Sequence, residues 1–446
     1  MQKVGQRAIG PLHVFSVLLI LLLSLGMNTI EAKNTAFVSR INHQFSRSDR
    51  PYYFIGVNYW FGGMLAVGKD SLRGKERVRK ELDFLKSQGV NNLRVLAGSE
   101  GRGLVNGVER LKPSLQPEQG KLQTHILRGL DFLLSEMAKR DMVAVLYFSN
   151  NWEWSGGFLQ YLNWNMKISD STMQSKMSWD GLRDNTAMFY SCEPCKQDYL
   201  KQVDLIMNHI NTYTGLPYIQ DPTIMAWQLA NEPRPMRSSA VEDYKKWISS
   251  VASHIKGKDR NHLVTIGTEG IMGTDESAEL FREVHASAQI DYLTVHIWPK
   301  NWQWFKGTDL SSQVKEVIRR SDEYISRHVQ IARELKKPMV IEEFGLPRDG
   351  HSFSASSTTK ARDEYFETIF SSLSKSHQSG GVISGCNIWS FGGLARPRQG
   401  QLFWKEGDDF MGDPPQEEQG LNSIFDSDAS TWTLIKSFTD ILSQNN

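Results

Sequence analysis

From Pro51 onward, short apolar runs rich in Val, Ile, Leu and aromatic residues alternate with longer segments whose apolar positions recur with helical spacing. The short runs predict strands at Tyr53 to Asn58, Asn92 to Ala97, Met142 to Phe148, Ile224 to Leu229, His262 to Gly267, Tyr292 to Val295, Met339 to Ile341 and Ser384 to Trp389. The periodic segments predict helices, for example Lys75 to Gln88 (Val78, Leu82 and Leu85 on one face), Thr124 to Lys139, Lys196 to Tyr213, Ala240 to Lys256, Val314 to Leu335 and Thr359 to Ser374. Strand followed by helix, repeated about eight times, is the pattern of a parallel sheet that closes on itself. The predicted fold is α/β, a single (β/α)8 TIM barrel with long βα loops, filling residues 33–446 as one catalytic domain. No linker, low-complexity tract or internal repeat divides this region.

A barrel gathers function at the C-terminal ends of its strands and in the loops that follow. Those positions carry Asn58-Tyr59-Trp60, Arg94, Asn150-Asn151-Trp152, Asn231-Glu232-Pro233, Glu269, His296-Ile297-Trp298, Glu342-Glu343-Phe344-Gly345 and Trp389. Gly, Ser and Asp would suffice to end a strand. The recurrence of titratable and aromatic groups instead points to one cleft. Glu232 follows an apolar run from Ile224 to Ala230 and precedes Pro233, which stops the strand; Glu343 ends a second run from Met339. Two carboxyls brought from remote strands to opposite sides of a cleft are what hydrolysis of a glycosidic bond requires.

Composition narrows the partner. Lys plus Arg number 51 against 50 Asp plus Glu, so the chain has no overall field to attract nucleic acid or anionic lipid. It carries 13 Trp, a side chain suited to flat, partly polar ligands such as sugar rings. Lys3 and Arg7 precede the apolar stretch Val14 to Leu25, and Thr29-Ile30-Glu31-Ala32 offers a small residue for cleavage, so residues 1–32 are expected to be a signal peptide. Its removal takes away Lys3, Arg7 and Glu31 and leaves a neutral, secreted or periplasmic protein with no membrane contact beyond that segment. In an oxidising compartment Cys192 and Cys195 can close a small loop, whereas Cys386, inside an apolar run, reads as a buried hydrophobe. A metal or redox centre on the Cys pair lacks further ligands, because there is no second CxxC.

Asn231-Glu232-Pro233 at the end of a fourth strand, with Glu343-Phe344-Gly345 at the end of a seventh, resembles the pattern of glycoside hydrolase family 5. The run Ile219 to Arg234, the Asn150-Asn151-Trp152 with Gly156-Gly157, and Thr294-Val295-His296-Ile297-Trp298-Pro299 resemble its β-1,4-mannanases (mannan endo-1,4-β-mannosidases), over nearly the whole mature chain. The chain departs from many members in showing Phe148-Ser149-Asn150-Asn151 where they have His, and Trp298 where they have Tyr; both departures suit mannanases better than cellulases.

The resemblance implies a retaining mechanism, with the two carboxyls about 5 Å apart. Glu232 would be the general acid/base and Glu343 the nucleophile, held ionised by Arg94, with Glu342 as the rival nucleophile. Asn231 would reach the sugar 2-hydroxyl or the nucleophile, and His296 would hydrogen-bond near the acid/base. Trp389 matches the tryptophan beneath the sugar at the cleavage point; Trp60, Trp152, Trp298 and Trp302 would line further subsites, beside Asn151. Arg234 would contact a leaving-side sugar, and Glu269 would touch sugar hydroxyls or cap a helix. The expected partner is a β-mannan polysaccharide or oligosaccharide, handled by a monomer without a cofactor. The alternatives are an exo-β-mannosidase or an endo-β-1,4-glucanase on the same barrel, or a non-catalytic carbohydrate-binding protein, which has no need of two carboxyls with opposed proton demands. Insertions at Gly156 to Glu193 and Pro397 to Gly420 would either wall off one end of the cleft or extend it.

Overall fold

The computed structural model describes residues 36–444; the expected signal peptide, residues 1–32, lies outside the described residues. Eight parallel strands form the centre: β1 (Phe54–Asn58), β2 (Asn92–Leu96), β3 (Val143–Tyr147), β4 (Ile224–Gln228), β5 (Leu263–Thr265), β6 (Leu293–Ile297), β7 (Met339–Phe344) and β8 (Ile383–Ile388). They are hydrogen-bonded in the order β5-β4-β3-β2-β1-β8-β7-β6. Between β5 and β6 there is no ladder. The Asp291 amide donates to the Val264 carbonyl at 2.8 Å, and the Val264 amide donates to the Asp291 carboxylate at 2.7 Å. The Thr265 hydroxyl adds a bond to the Tyr292 carbonyl at 2.9 Å. These contacts bring the two ends of the sheet together, and the fold is the expected (β/α)8 barrel.

Each strand is followed by a principal helix: α1 (Ser71–Ser87), α2 (Leu127–Ala138), α3 (Glu193–Met207), α4 (Val241–Lys258), α5 (Ala278–Ala286), α6 (Val314–Leu335), α7 (Lys360–Ser379) and α8 (Ala429–Ser443). In α1 the stripe Val78, Leu82 and Leu85 is fully buried, and each such side chain contributes about 1.5–3 kcal/mol on leaving water. Helices α5 and α8 fall outside the segments named from periodicity. α5 is only nine residues long, and α8 interleaves Ser and Thr with its buried Trp432, Ile435 and Leu442, which blurs the repeat.

Strands β6 and β7 run further than their apolar content suggests, to Ile297 and Phe344. Their last residues are polar because they meet polar partners inside the barrel. A one-residue register shift between these strands pairs His296 with Glu343 and leaves Glu342 unmatched, so that consecutive glutamates both reach the interior. At the opposite, N-terminal end of the barrel, an antiparallel ribbon (Ser39–Ile41, Gln44–Arg47, Arg50–Pro51) inserts Phe45 against Phe54 and Tyr292, closing that end with apolar side chains.

Candidate active site

The end of β4 turns sharply. The Asn231 amide donates to the Ser149 carbonyl and the Glu232 amide to the Gly267 carbonyl, both at 2.8 Å, which ties the turn to the neighbouring strands. Glu232 itself takes a left-handed φ of 51°, uncommon for a residue with a Cβ. Its carboxylate accepts from His296 Nδ1 at 2.7 Å through one oxygen and from the Trp152 indole N–H through the other.

Glu343 has different neighbours. One oxygen is paired with the Arg94 guanidinium, and the other accepts from the Trp298 indole N–H at 3.1 Å. Arg94 is fully buried over the Tyr147 ring, and its remaining donors reach Asn58 Oδ1 at 3.0 Å, Asn231 Oδ1 at 2.6 Å and Gln228 Oε1 at 2.7 Å. Gln228 in turn donates to Glu342 at 2.6 Å. Glu342 is fully buried below the cleft; burial pushes its pKa up, but Arg94 and the bonds from His296 and Gln228 outweigh this and hold it below the usual carboxylate range. Arg94 and Gln228 thus form a polar floor on which Glu343 stands.

His296 lies between the carboxylates, with Nδ1 also 3.3 Å from Glu343 and Nε2 3.4 Å from Glu342. Burial opposes its charge, yet Glu343, Glu232 and Glu342 together raise its pKa well above the ordinary value. Glu232, His296 and Glu343 bring donor atoms within 4.8 Å of one another, close enough to hold a cation. Both ring nitrogens of His296 are already engaged, Nδ1 with Glu232 and Nε2 facing Glu342, so the set fits proton handling better than coordination.

These groups open into a cavity of about 560 Å³, within the range of small-ligand sites. Of the residues singled out from sequence, Asn231, Glu232, Arg234, Glu269, Trp152, Trp298, Trp302, Glu343 and Trp389 line it. Trp389 and Trp298 meet edge to face with centroids 5.8 Å apart. Arg234 lies over the Trp152 ring at 5.1 Å and is paired with Glu269, whose pKa is lifted by burial and only partly offset by Arg234. Two expectations of a cleft-lining role are corrected. Trp60 is 0% exposed and packs against Trp154 and Phe410, its indole N–H bonding the Gly412 carbonyl at 2.7 Å, so it supports a loop from beneath. Asn151 is buried behind the wall, where its amide donates to the Asn231 carbonyl at 2.9 Å.

Sequence reading missed Gln228, Trp154, Trp179 and Glu417. Gln228 had a signal, a lone amide in an otherwise apolar strand. Glu417 comes from the insertion after β8 and lines the cavity; its backbone is held by Pro414 and Gln419, while its carboxylate has no hydrogen-bond or ion-pair partner among the described residues. Burial pushes its pKa well above the carboxylate range, and the charges of Asp413, Glu343 and Glu232 push the same way, against Lys300.

Paired carboxyls facing each other across a barrel mouth floored by an arginine and walled by tryptophans define an enzyme that hydrolyses glycosidic bonds. The chain belongs to glycoside hydrolase family 5: the family described as "GH family 5 beta-mannosidase-like" matches residues 35–446. Among its relatives, mannan endo-1,4-beta-mannosidase 1 of Oryza sativa subsp. japonica is 29% identical over 87% of this chain and 86% of its own length. Mannan endo-1,4-beta-mannosidase 7 of Arabidopsis thaliana is 29% identical over 85% and 83%. The crystal structure of a glycoside hydrolase family 5 mannosidase from Rhizomucor miehei is 30% identical, with a TM-score of 0.81, covering 92% of this chain and 98% of that one. A mutant of a Rhizomucor miehei family 5 mannosidase has been solved in complex with mannosyl-fructose.

Proposed function

We propose that this glycoside hydrolase cleaves β-1,4-mannosidic bonds of mannan, glucomannan or galactomannan by double displacement, with Glu343 as nucleophile and Glu232 as acid/base. The observation that carries the mechanism is that oxygens of the two carboxyls lie within 4.8 Å of each other, the separation of retaining rather than inverting enzymes. Their surroundings suit the two roles: Glu343 is paired with the permanent charge of Arg94, while Glu232 is bonded only to N–H groups it can release as it trades its proton. In the first step Glu343 attacks the anomeric carbon and Glu232 protonates the departing oxygen. Esterification removes the negative charge of Glu343, so Glu232 then faces one anion fewer and can take a proton from water. That water attacks the anomeric carbon, frees Glu343 and restores the starting configuration. Trp389 offers an indole face for the sugar at the cleavage point.

Mannan as substrate is supported by the names of the plant relatives and by the mannosyl-fructose complex of a Rhizomucor miehei mannosidase. The family's description as beta-mannosidase-like favours a second reading, release of mannose from chain ends. A time course on linear β-1,4-mannan, glucomannan and soluble cellulose, with Glu343→Ala as blank and the product anomer followed by NMR, decides. Early mixed oligosaccharides of retained configuration are expected; mannose alone from the start establishes the second reading. An inverted anomer overturns double displacement, and release from cellulose alone overturns the mannan assignment.

We also infer export, supported by the disulfide between Cys192 and Cys195, and action as a monomer. N-terminal sequencing of protein recovered outside expressing cells is expected to begin near residue 33, and light scattering to give the mass of one chain. An intact leader or a dimer refutes the corresponding part.

A further inference from the structure

Trp179 is 52% exposed, yet it lines the catalytic cavity. Its indole stacks on Trp152 with centroids 6.1 Å apart and planes at 27°. Trp152 donates its own N–H to Glu232 and carries the Arg234 guanidinium over its ring. A continuous aromatic path therefore leads outward from the acid/base. An acid/base residue faces the departing oxygen, so what lies beyond Glu232 along this path is the side of the leaving sugar.

The platform is held rigidly. Trp179 opens a short helix, Trp179–Ala187, capped by the Ser178 hydroxyl, which accepts from the Gly181 amide at 3.1 Å. Arg237 fastens that helix through Asp184 at 2.6 Å and Asp180 at 2.9 Å, and Arg183 donates to the Met236 carbonyl at 2.9 Å. Both fasteners run to the segment just after Arg234, so the exposed indole is fixed relative to the leaving-group side. A large aromatic tethered and half exposed at the mouth of a sugar site is a stacking surface awaiting a ring.

We propose that Trp179 is the outer sugar platform on the leaving-group side, stacking a mannose ring beyond the one attached to the cleaved bond. This rests on the mannoside reading above and adds a subsite to it. The test compares Trp179→Ala and Trp179→Phe with wild type on 4-nitrophenyl β-mannoside, which has no leaving-side sugar, and on mannotetraose. The kcat/KM of Trp179→Ala is expected to fall about three- to tenfold further on mannotetraose than on the aryl mannoside, through KM, with Trp179→Phe recovering part of the loss. Equal losses on both substrates would mean that Trp179 only props Trp152, and would overturn the proposal, as would no loss on either. Calorimetric titration of mannotetraose into the Glu343→Ala background, with and without Trp179→Ala, reads the same contrast without turnover. A chain that neither cleaves nor binds mannotetraose sinks the substrate reading and the platform together, whereas cleavage with uniform losses sinks the platform alone.

Discussion

Glu232 and Glu343 can be told apart by what their removal should do. Glu343→Ala removes the group that bonds to the anomeric carbon, so turnover is expected to vanish on every substrate while the fold persists. Glu232→Ala removes protonation of the leaving oxygen, a contribution of about 10²–10⁴-fold. That loss is expected in full on mannan and only in small part on aryl mannosides, whose leaving groups need no proton; full activity of either variant on mannan contradicts the assignment. Both carboxylates were legible in the sequence because each ends an apolar run at a strand terminus. Gln228, which links Arg94 to Glu342, was not read as functional, because an amide inside an apolar strand looks like an interruption until its partners on β2 and β7 are known. Trp60 was misread because a tryptophan at a strand end does not reveal which way its loop folds. Here the loop turns Trp60 under Gly412, with no exposed surface.

Helix α6 reaches the loop after β5 through a histidine that must stay neutral. His328 Nδ1 donates to the Tyr324 carbonyl at 2.7 Å while Nε2 accepts from the Ile271 amide at 2.8 Å, and burial lowers its pKa to about 4. Unfolded, a histidine titrates near 6.5. The stability that depends on the neutral ring is therefore complete above pH ~6.5 and is lost as pH falls toward 4, about 2–3 kcal/mol by pH ~4.5. His285, lowered to about 3, and His351 and His377, also lowered by burial, act in the same direction, so His328→Gln should remove only part of the acid slope in urea midpoints. An unchanged slope would exclude His328 as its source. Near the start of α3, Cys192 and Cys195 are joined across a very short loop, and replacing both by Ser is expected to cost about 2 kcal/mol in chemical denaturation. The pairing itself was readable from spacing. The short helices of the preceding insertion were not, because a helix such as Asp170–Gln174, with only Met173 buried, is too brief to show a period.

The whole barrel divides its labour between two ends. Phe45, from the N-terminal ribbon, packs at the end away from the cleft, so Phe45→Ala is expected to cost about 3–5 kcal/mol of stability while kcat/KM at moderate temperature stays unchanged. Parallel losses of activity and stability would show that the two ends are coupled. The topology was legible as a whole because eight apolar runs separated by amphipathic stretches admit few closed arrangements. The ribbon was not, since its strands are two to four residues long. Closure is uneven around the ring: seven neighbouring strand pairs share ladders, while β5 and β6 meet through scattered bonds from Asp291, Val264, Thr265 and Thr294 and the bond from the His296 amide to the Glu269 carbonyl at 3.0 Å. Backbone amides along that junction should exchange with deuterated solvent sooner than those elsewhere in the barrel. Because the junction carries His296, gentle heating should inactivate the enzyme by parting this one join, before the rest of the molecule melts.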